Sequence, residues 1–354
     1  MNFTPKNKLA TNLPEGSPLV KKQTRKLVKW GSSNTLIISL PREWAKRNKL
    51  TSDQEVSILE NPDGSLLVLP PTVKLEQSVL TATIDSQKYP TKEFLNHIIQ
   101  TKYLSGHDLI NITSKQAFTQ KRYQEITQIT QNLLGFEITS KTPNQITLQD
   151  VMSIQQTNLT LLIRIISRTT LELLENLIQA LEENNTTLAK AIIESRDNIY
   201  KYHMRILRQL RKALQYPALL TQMELTAQDT LDYTTYVTTI NDIAENIETM
   251  SRAILKQPNP PKNKHHQATI ELLKKTLQLI QQATGAFLFH KVQDAVDTLH
   301  EITKIKEQKR ETEIQIDKET SMPGIITLQI ILDATEKIAE AARPIAQAAL
   351  RQSL

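Results

Sequence analysis

Two long stretches of this 354-residue chain contain no proline, and they limit the fold more than any other feature. They are residues 144–216 and 262–322, and nine of the fifteen prolines lie before residue 144. Proline breaks the interior of a helix because it lacks an amide donor. Proline-free stretches with apolar residues at helical spacing are therefore typical of long helices. We expect residues 151–354 to be almost wholly helical.

The helical part is predicted to contain two sets of three helices, separated by a linker with Pro258, Pro260 and Pro261. The first set covers residues 152–182, 185–214 and 221–256. The second set covers residues 266–286, 288–320 and 325–351. Three helices, a break and three further helices indicate an internal repeat.

The repeat is also visible in individual residues. Residues 237–244 precede residues 335–342 by 98 positions, so that Ile240 matches Ile338. Further along the same helices, Ile247 matches Ile345. Because the apolar positions recur at helical spacing, they predict a buried stripe on the last helix of each three-helix bundle.

The first 150 residues have a different organisation. Residues 1–22 are polar and contain three prolines, which predicts a flexible basic arm. Residues 23–71 are predicted to form two hairpins around a helix, with strands at 25–30, 35–40, 55–60 and 66–69 and a helix at 42–49. Residues 72–150 are predicted to form a small α/β domain, with strands at 78–84, 108–112, 136–139 and 145–148 and helices at 91–104 and 120–134. Residues 151–257 and 262–354 would then be the two bundles, which makes a multidomain, mainly α-helical fold.

The basic residues are concentrated at the N-terminus. Residues 1–50 carry a net charge of +9, whereas the other 304 residues carry −3. Such asymmetry indicates an anionic partner for the N-terminal part, most often nucleic acid. A solubilising tail is the alternative.

Five short segments carry a family resemblance in the N-terminal module. They are RKLVKWG (25–31), TLIISLP (35–41), EWA (43–45), EVS (55–57) and DGSLLVLP (63–70). In this order they resemble the AbrB/SpoVT swapped-hairpin family over about 46 residues. The resemblance implies an intertwined homodimer whose basic strands and loops bind DNA, although some members of the superfamily act as antitoxin dimerisation modules.

Seven basic side chains of this module are the candidate DNA-binding residues: Arg25, Lys26, Lys29, Arg42, Lys46, Arg47 and Lys49. Lysine and arginine release counterions from phosphates, and arginine also pairs with guanine edges in the major groove. The alternative for Lys46 and Lys49 is the solvated face of a short helix.

A second resemblance lies in the helical part. The segments are AIIESRD (191–197), RQLRKAL (208–214), INDIAENI (240–247) and TEKIAE (335–340). They resemble the PhoU family of tandem three-helix bundles, and together with the N-terminal module they are similar to archaeal PhoU-related regulators. The resemblance implies regulation of phosphate uptake and phosphate homeostasis, with a phosphate transporter or a sensor kinase as a partner.

The PhoU family often carries paired acids on its bundle helices, which implies an iron or zinc site. Carboxylates four residues apart share a helix face and are able to converge on one cation. Glu336 and Glu340 preserve this spacing, whereas in the first repeat Asp242 is present but Thr238 replaces the other acid. The candidate ligands are therefore Asp242, Glu336 and Glu340, with salt bridges or solvated acids as the alternative.

Other features of the sequence exclude several functional classes. The chain has no cysteine, no apolar run long enough to span a bilayer, and no glycine-rich phosphate loop or nucleophilic catalytic signature. We therefore expect a cytoplasmic, non-enzymatic protein that does not insert into membranes. His265 and His266 are expected in a solvated linker. The basic segment of Arg205, Arg208, Arg211 and Lys212 is expected on a solvated helix face, with docking to a membrane protein or to the DNA backbone as the alternative.

Overall fold

The computed structural model describes residues 23–31, 35–60, 64–71, 79–152, 158–256, 264–314 and 322–353. The predicted flexible arm and the proline-containing linker lie outside the described residues. The chain divides into two units, Met1–Gln77 and Ser78–Leu354. The predicted fold class is confirmed, because short N-terminal strands precede a small α/β part and a long helical part.

The described residues of the first unit form four short strands and one helix: β1 (Val28–Lys29), β2 (Leu36–Ile37), α1 (Arg42–Arg47), β3 (Ser57–Glu60) and β4 (Leu66–Leu69). β1 pairs with β2 and β3 pairs with β4, both antiparallel. The first hairpin is shorter than the sequence predicts, since each strand has two residues. Its apolar side chains are exposed in the single chain, so no second layer supports a longer ladder. Helix α1 ends at Arg47, earlier than predicted.

The second unit begins with a four-stranded α/β subdomain: β5 (Thr81–Asp85), α2 (Lys92–Leu104), β6 (Leu109–Thr113), α3 (Gln120–Gln131), β7 (Phe136–Lys141) and β8 (Gln145–Asp150). The strand order is β5-β6-β8-β7, with β5 parallel to β6 and the other pairs antiparallel. Thr91 and Thr119 cap α2 and α3, because each hydroxyl accepts a hydrogen bond from an amide of the first turn. Helix α3 ends three residues before the predicted position.

One face of this sheet is apolar and the other is polar. Ile84, Ile110, Ile112 and Leu148 alternate along the strands and are buried against α2 and α3. On the opposite face, Thr147 donates a hydrogen bond of 2.9 Å to the side chain of Asn111 on the neighbouring strand. The subdomain is therefore a two-layer sandwich of helices on a sheet.

In the described part of the remaining chain there are seven helices: α4 (Leu159–Glu183), α5 (Thr186–Gln215), α6 (Pro217–Gln222), α7 (Ala227–Lys256), α8 (Lys264–Leu288), α9 (Val292–Ile314) and α10 (Met322–Ser353). The short helix α6 was not predicted, and it begins with proline at its first position, where a missing amide costs nothing. Helix α9 begins at Val292 and not at the predicted residue 288, because His290 has a left-handed backbone with φ of 53°. None of the described helices is long and apolar enough to cross a membrane.

The repeat positions meet in a single core. Ile240, Ile247, Ile338 and Ile345 are fully buried, as the sequence pattern predicts. Helix α7 packs on α10, and α4 packs on α8, so that the two halves share one hydrophobic core. We call this contact between the halves the seam.

The expectation for the two adjacent histidines was wrong. His265 and His266 lie in the first turns of α8 and are buried. A ring nitrogen of His266 lies 3.1 Å from the carbonyl oxygen of Leu181 at the end of α4. The polar residues around them in the sequence suggested a loop, but contact with α4 buries this end of the helix.

Candidate functional site

The seven candidate DNA-binding residues lie on the surface of the N-terminal module. Arg25 and Lys26 precede β1, and Lys29 is its second residue. Arg42, Lys46 and Arg47 lie on α1, and Lys49 follows the helix with φ of 53°. All seven are exposed.

In the part of the chain that the structure describes, none of the seven side chains forms an ion pair with an acid. Arg25 donates a hydrogen bond of 3.0 Å to the neutral side chain of Gln23. Lys46 and Arg47 occupy the last turn of α1, where the helix dipole favours cations. The module therefore presents cations that are free to contact an anionic partner.

Apolar side chains are exposed beside these cations. Trp30 is 66% exposed and Leu36 is 59% exposed, although both belong to residue types that are usually buried. Among the described residues of this module, the large exposed apolar side chains are Leu27, Val28, Trp30, Leu36, Ile37, Ile38, Leu40, Ile58 and Leu66. Exposed apolar surface of this kind is typical of sites that contact proteins, membranes or ligands.

The candidate metal ligands are distributed over two helices and take different partners. Asp242 lies on α7 and is exposed, and partial burial together with the charge of Glu245 raises its pKa. Glu340 lies on α10 and accepts a hydrogen bond of 2.6 Å from Lys306 of α9. That hydrogen bond lowers the pKa of Glu340, and Arg343 adds to the effect.

Glu336 is also bound to lysine. Its carboxylate lies 3.2 Å from Nζ of Lys309, which also contacts Glu313 at 2.6 Å and Asp333 at 3.0 Å. Partial burial alone would lower the pKa of Lys309, but the hydrogen bonds with these three acids together raise it.

The residues around Glu336 and Glu340 do not fit a divalent cation. Two ammonium groups already lie against the carboxylates, and a metal ion would have to displace them. Within the described ranges, no group of three or more histidine, aspartate or glutamate side chains is arranged to hold a metal ion. The geometry favours the salt-bridge alternative for these acids.

A charge cluster that the sequence did not reveal joins the α/β subdomain to α5. Arg205 donates to both carboxylate oxygens of Asp150, at 2.8 and 2.9 Å. Arg208 contacts Asp150 at 3.0 Å and Asp108 at 3.1 Å, and Lys212 also binds Asp108. We call these five residues the junction cluster.

The expectation of a solvated basic face on α5 was therefore wrong for three of its four residues. Arg205, Arg208 and Lys212 are buried, whereas Arg211 is exposed. Three cations face two carboxylates, so the junction cluster has a formal charge of +1. The second unit thus contains a buried ionic contact between its sheet and its helices.

Further contacts hold the junction cluster in place. The guanidinium of Arg208 donates to the carbonyl oxygen of Tyr103 at 2.6 Å and lies over the rings of Tyr103 and Phe136. Burial raises the pKa of Tyr103 to about 12, although the nearby arginines act in the opposite direction. Gly135 has φ of +90°, and a Cβ there would lie 2.9 Å from Nη1 of Arg205.

The spacing of the three basic residues is one indication of the junction cluster that the sequence does contain. Arg205, Arg208 and Lys212 are three and four positions apart, which places them on one face of a helix. Asp108 precedes β6 and Asp150 ends β8, and these antiparallel strands bring the two acids to the same edge of the sheet. The acids are 42 residues apart in the sequence, so only the sheet register shows that they meet.

Comparison with known proteins identifies two domains. Residues 27–76 match the family model described as antidote-toxin recognition MazE, bacterial antitoxin. Residues 163–251 match the model of the PhoU domain. Neither model describes a catalytic family, and no curated protein matches the chain.

Two solved structures of PhoU proteins are similar to parts of this chain. PhoU from Pseudomonas aeruginosa is 14% identical, with a TM-score of 0.49 over 56% of this chain and 98% of that chain. The phosphate transport system regulatory protein PhoU from Streptococcus pneumoniae is also 14% identical, with a TM-score of 0.48 over 54% of this chain and 91% of that chain. On the evidence of the two family models, the chain combines an N-terminal domain of the MazE/AbrB type with a PhoU domain.

Proposed function

We propose that this protein is a cytoplasmic, homodimeric, DNA-binding regulator of phosphate uptake. The observation that carries the proposal is the set of exposed, unpaired cations on the N-terminal module, in a chain that also contains a PhoU domain. The PhoU domain supports the link to phosphate transport. The MazE/AbrB-type domain supports the link to DNA.

The exposed apolar side chains of the module support self-association. Burial of apolar surface contributes roughly 25 cal/mol per Å², and a module of this size has little core of its own. A second copy of the module would cover Trp30, Leu36 and their neighbours. It would also double the number of cations presented to DNA.

The chemistry of the cations favours a polyanion over an acidic protein patch. Seven cations within 25 residues, opposed by Glu43 alone, form a dense positive surface. Each phosphate contact releases counterions, so affinity falls steeply as the salt concentration rises. Arg25 and Arg42 also offer the planar group that reads guanine in the major groove.

The PhoU domain would supply the regulatory input. A signal from a transporter, a sensor kinase or a small ligand changes DNA affinity only if it binds two states of the protein differently. Within the second unit, the junction cluster holds the sheet to α5, so that the α/β subdomain follows any movement of that helix.

The test is a titration of the full-length protein onto DNA from its own promoter region at two salt concentrations. The variant Arg25→Ala/Lys26→Ala/Arg42→Ala removes three cations of the module. The matched control Lys115→Ala/Lys121→Ala/Lys190→Ala removes three exposed cations elsewhere. We expect salt-sensitive, sequence-preferring binding that the first variant abolishes and the control retains. Equal binding by wild type and both variants would refute the proposal.

The second candidate function is an accessory protein that binds a phosphate transporter or a sensor kinase directly. The match to an antidote-toxin recognition model favours it, because a module of that type is able to serve dimerisation alone. In that case the dimer would persist in the triple variant. DNA affinity at physiological salt would be weak and the same for all sequences.

A further inference from the structure

A groove opens at one end of the seam, between α4 and α8. Its volume is about 420 Å³, which lies within the range of pockets that bind small molecules. Ser167 and Leu171 of α4 face Gly285 and Leu288 of α8 across it, with Phe289 at the rim. Each half of the repeat therefore contributes one wall.

Gly285 leaves the groove open. Glycine destabilises the interior of a helix relative to alanine, so a specific role for the missing side chain is expected at this position. Close packing does not require glycine here, because a Cβ at this position would meet no atom within 4 Å. Polar side chains also join α4 and α8: Lys274 forms an ion pair of 2.9 Å with Glu182, and Gln281 of the groove lining donates a hydrogen bond of 3.2 Å to Glu175. The groove is thus a local gap in the packing between α4 and α8.

The floor of the groove is connected to the core. The hydroxyl of Ser167 lies 2.6 Å from the hydroxyl of Tyr236 on α7. The ring of Tyr236 stacks on Phe287 of α8, with 4.0 Å between the ring centroids. A molecule in the groove would therefore lie one side chain away from the aromatic pair that joins α7 to α8.

The walls combine an apolar surface with one unpaired cation. Leu171 and Leu288 are half-buried, and Phe289 is 62% exposed. Arg168 is paired with Glu172 at 2.7 Å. Arg164 also lines the groove, and in the described part of the chain its guanidinium has no ion pair or hydrogen bond.

The basic and acidic side chains along the groove are separated. Arg164 and Arg168 lie toward one end, and Glu172 and Glu175 toward the other. Arg164 and Glu175 are eleven residues apart on one helix, or about 16 Å at the rise of an α-helix. A bound anion would therefore place its charge beside Arg164, away from the acids.

We propose that this groove binds a small amphipathic anion. The apolar body of the ligand packs against Leu171, Leu288 and Phe289, and its acidic group pairs with Arg164. The proposed site lies entirely on helices of the PhoU-type bundle, so the proposal does not depend on whether the N-terminal module binds DNA.

The test uses two fluorescent probes with the full chain. The probe 8-anilinonaphthalene-1-sulfonate carries an aromatic body and a sulfonate, and N-phenyl-1-naphthylamine has the same rings without the charge. Gly285→Leu fills the groove, and Arg164→Ala removes the cation. The control Gln347→Leu adds a leucine at an exposed position of α10.

We expect wild type and Gln347→Leu to bind the sulfonate probe at one saturable site, with at least tenfold preference over the neutral probe. Gly285→Leu should weaken binding of the sulfonate probe at least tenfold. Arg164→Ala, which changes an exposed side chain and leaves the core intact, should abolish the preference for the charged probe. Hydrogen exchange should show protection by the sulfonate probe in α4 and α8.

Three results would overturn the proposal. The first is the absence of saturable binding by the sulfonate probe in wild type. The second is equal affinity in wild type, Gly285→Leu and Arg164→Ala. The third is protection confined to residues outside α4 and α8, which would place the probe on another apolar surface such as that of the N-terminal module.

Discussion

Nη1 of Arg205 donates to both carboxylate oxygens of Asp150, at 2.9 and 2.8 Å, and so joins helix α5 to the end of strand β8. Both side chains are nearly inaccessible to solvent. The α/β subdomain is thus fixed to the helical bundle by a buried ionic contact, and not merely connected to it as a spacer in the chain.

Removal of one charge from the junction cluster should destabilise the second unit strongly. Asp150→Asn leaves Arg205 and Arg208 buried with too little negative charge, and loss of one partner of a buried ion pair costs about 3–5 kcal/mol. Urea denaturation followed by circular dichroism measures the change. The control Asp297→Asn alters an exposed aspartate of α9 and should change the free energy of unfolding by less than about 0.5 kcal/mol. A small effect of Asp150→Asn would show that the cluster does not hold the subdomain.

Two glycines should respond to alanine in opposite directions. Gly135→Ala places a Cβ 2.9 Å from Nη1 of Arg205 and imposes a side chain on a residue with φ of +90°, which should cost roughly 1–3 kcal/mol. Gly285→Ala adds a Cβ in open space within a helix and should stabilise by about 0.5–1 kcal/mol. Thermal unfolding of the two variants measures both changes. Destabilisation by Gly285→Ala would contradict the open geometry of the groove.

His203 should make stability depend on pH. Burial lowers the pKa of His203 to about 4 from its ordinary 6.5, and the nearby charge of Arg196 adds to the effect. Because the unfolded chain binds this proton more readily, the stability is fully present above pH 6.5 and is lost as the pH falls toward 4. The contribution is about 3 kcal/mol at full effect.

The comparison of His203→Leu with wild type isolates this contribution from the titration of carboxylates. Free energies of unfolding measured between pH 7 and pH 4.5 should fall less in the variant. His300→Leu, at an exposed position of α9, serves as the control and should follow wild type. Parallel curves for all three proteins would show that His203 is protonated equally in the folded and unfolded states.

The acids of α10 should prefer their lysines to a metal ion. We expect a native preparation to contain substoichiometric iron and zinc, since Lys306 and Lys309 already neutralise Glu336 and Glu340. Lys306→Ala/Lys309→Ala removes both lysines that contact Glu336 and leaves Glu340 with Arg343 alone, so it should raise affinity for divalent cations. Metal analysis of both proteins provides the measurement. Stoichiometric metal in wild type would contradict this prediction and would support Asp242, Glu336 and Glu340 as metal ligands.

Most of the fold was predictable because its signals are local. The proline-free stretches and the matched pair Ile240 and Ile338 predicted the helices and the repeat, and the structure buries both isoleucines fully. Such features act over a few residues, so the sequence displays them directly.

The sites were less predictable because they depend on contacts between distant segments. Arg205 and Lys212 have the spacing of a solvated helix face, and only contact with Asp150 and Asp108 buries them. The polar neighbours of His266 suggested a loop, yet α4 covers it. The groove depends on the lack of a side chain at Gly285, and no charged residue or motif in the sequence indicates that a groove is present there.

The shared core at the seam constrains how the protein could be divided. A break in the peptide chain within residues 257–263 would divide this core, and each half alone would expose the apolar surface through which α7 packs on α10 and α4 packs on α8. Two separately produced fragments would then be insoluble alone but would assemble when made together. The two halves are thus packed as one body, and each contributes to burying the apolar surface of the other.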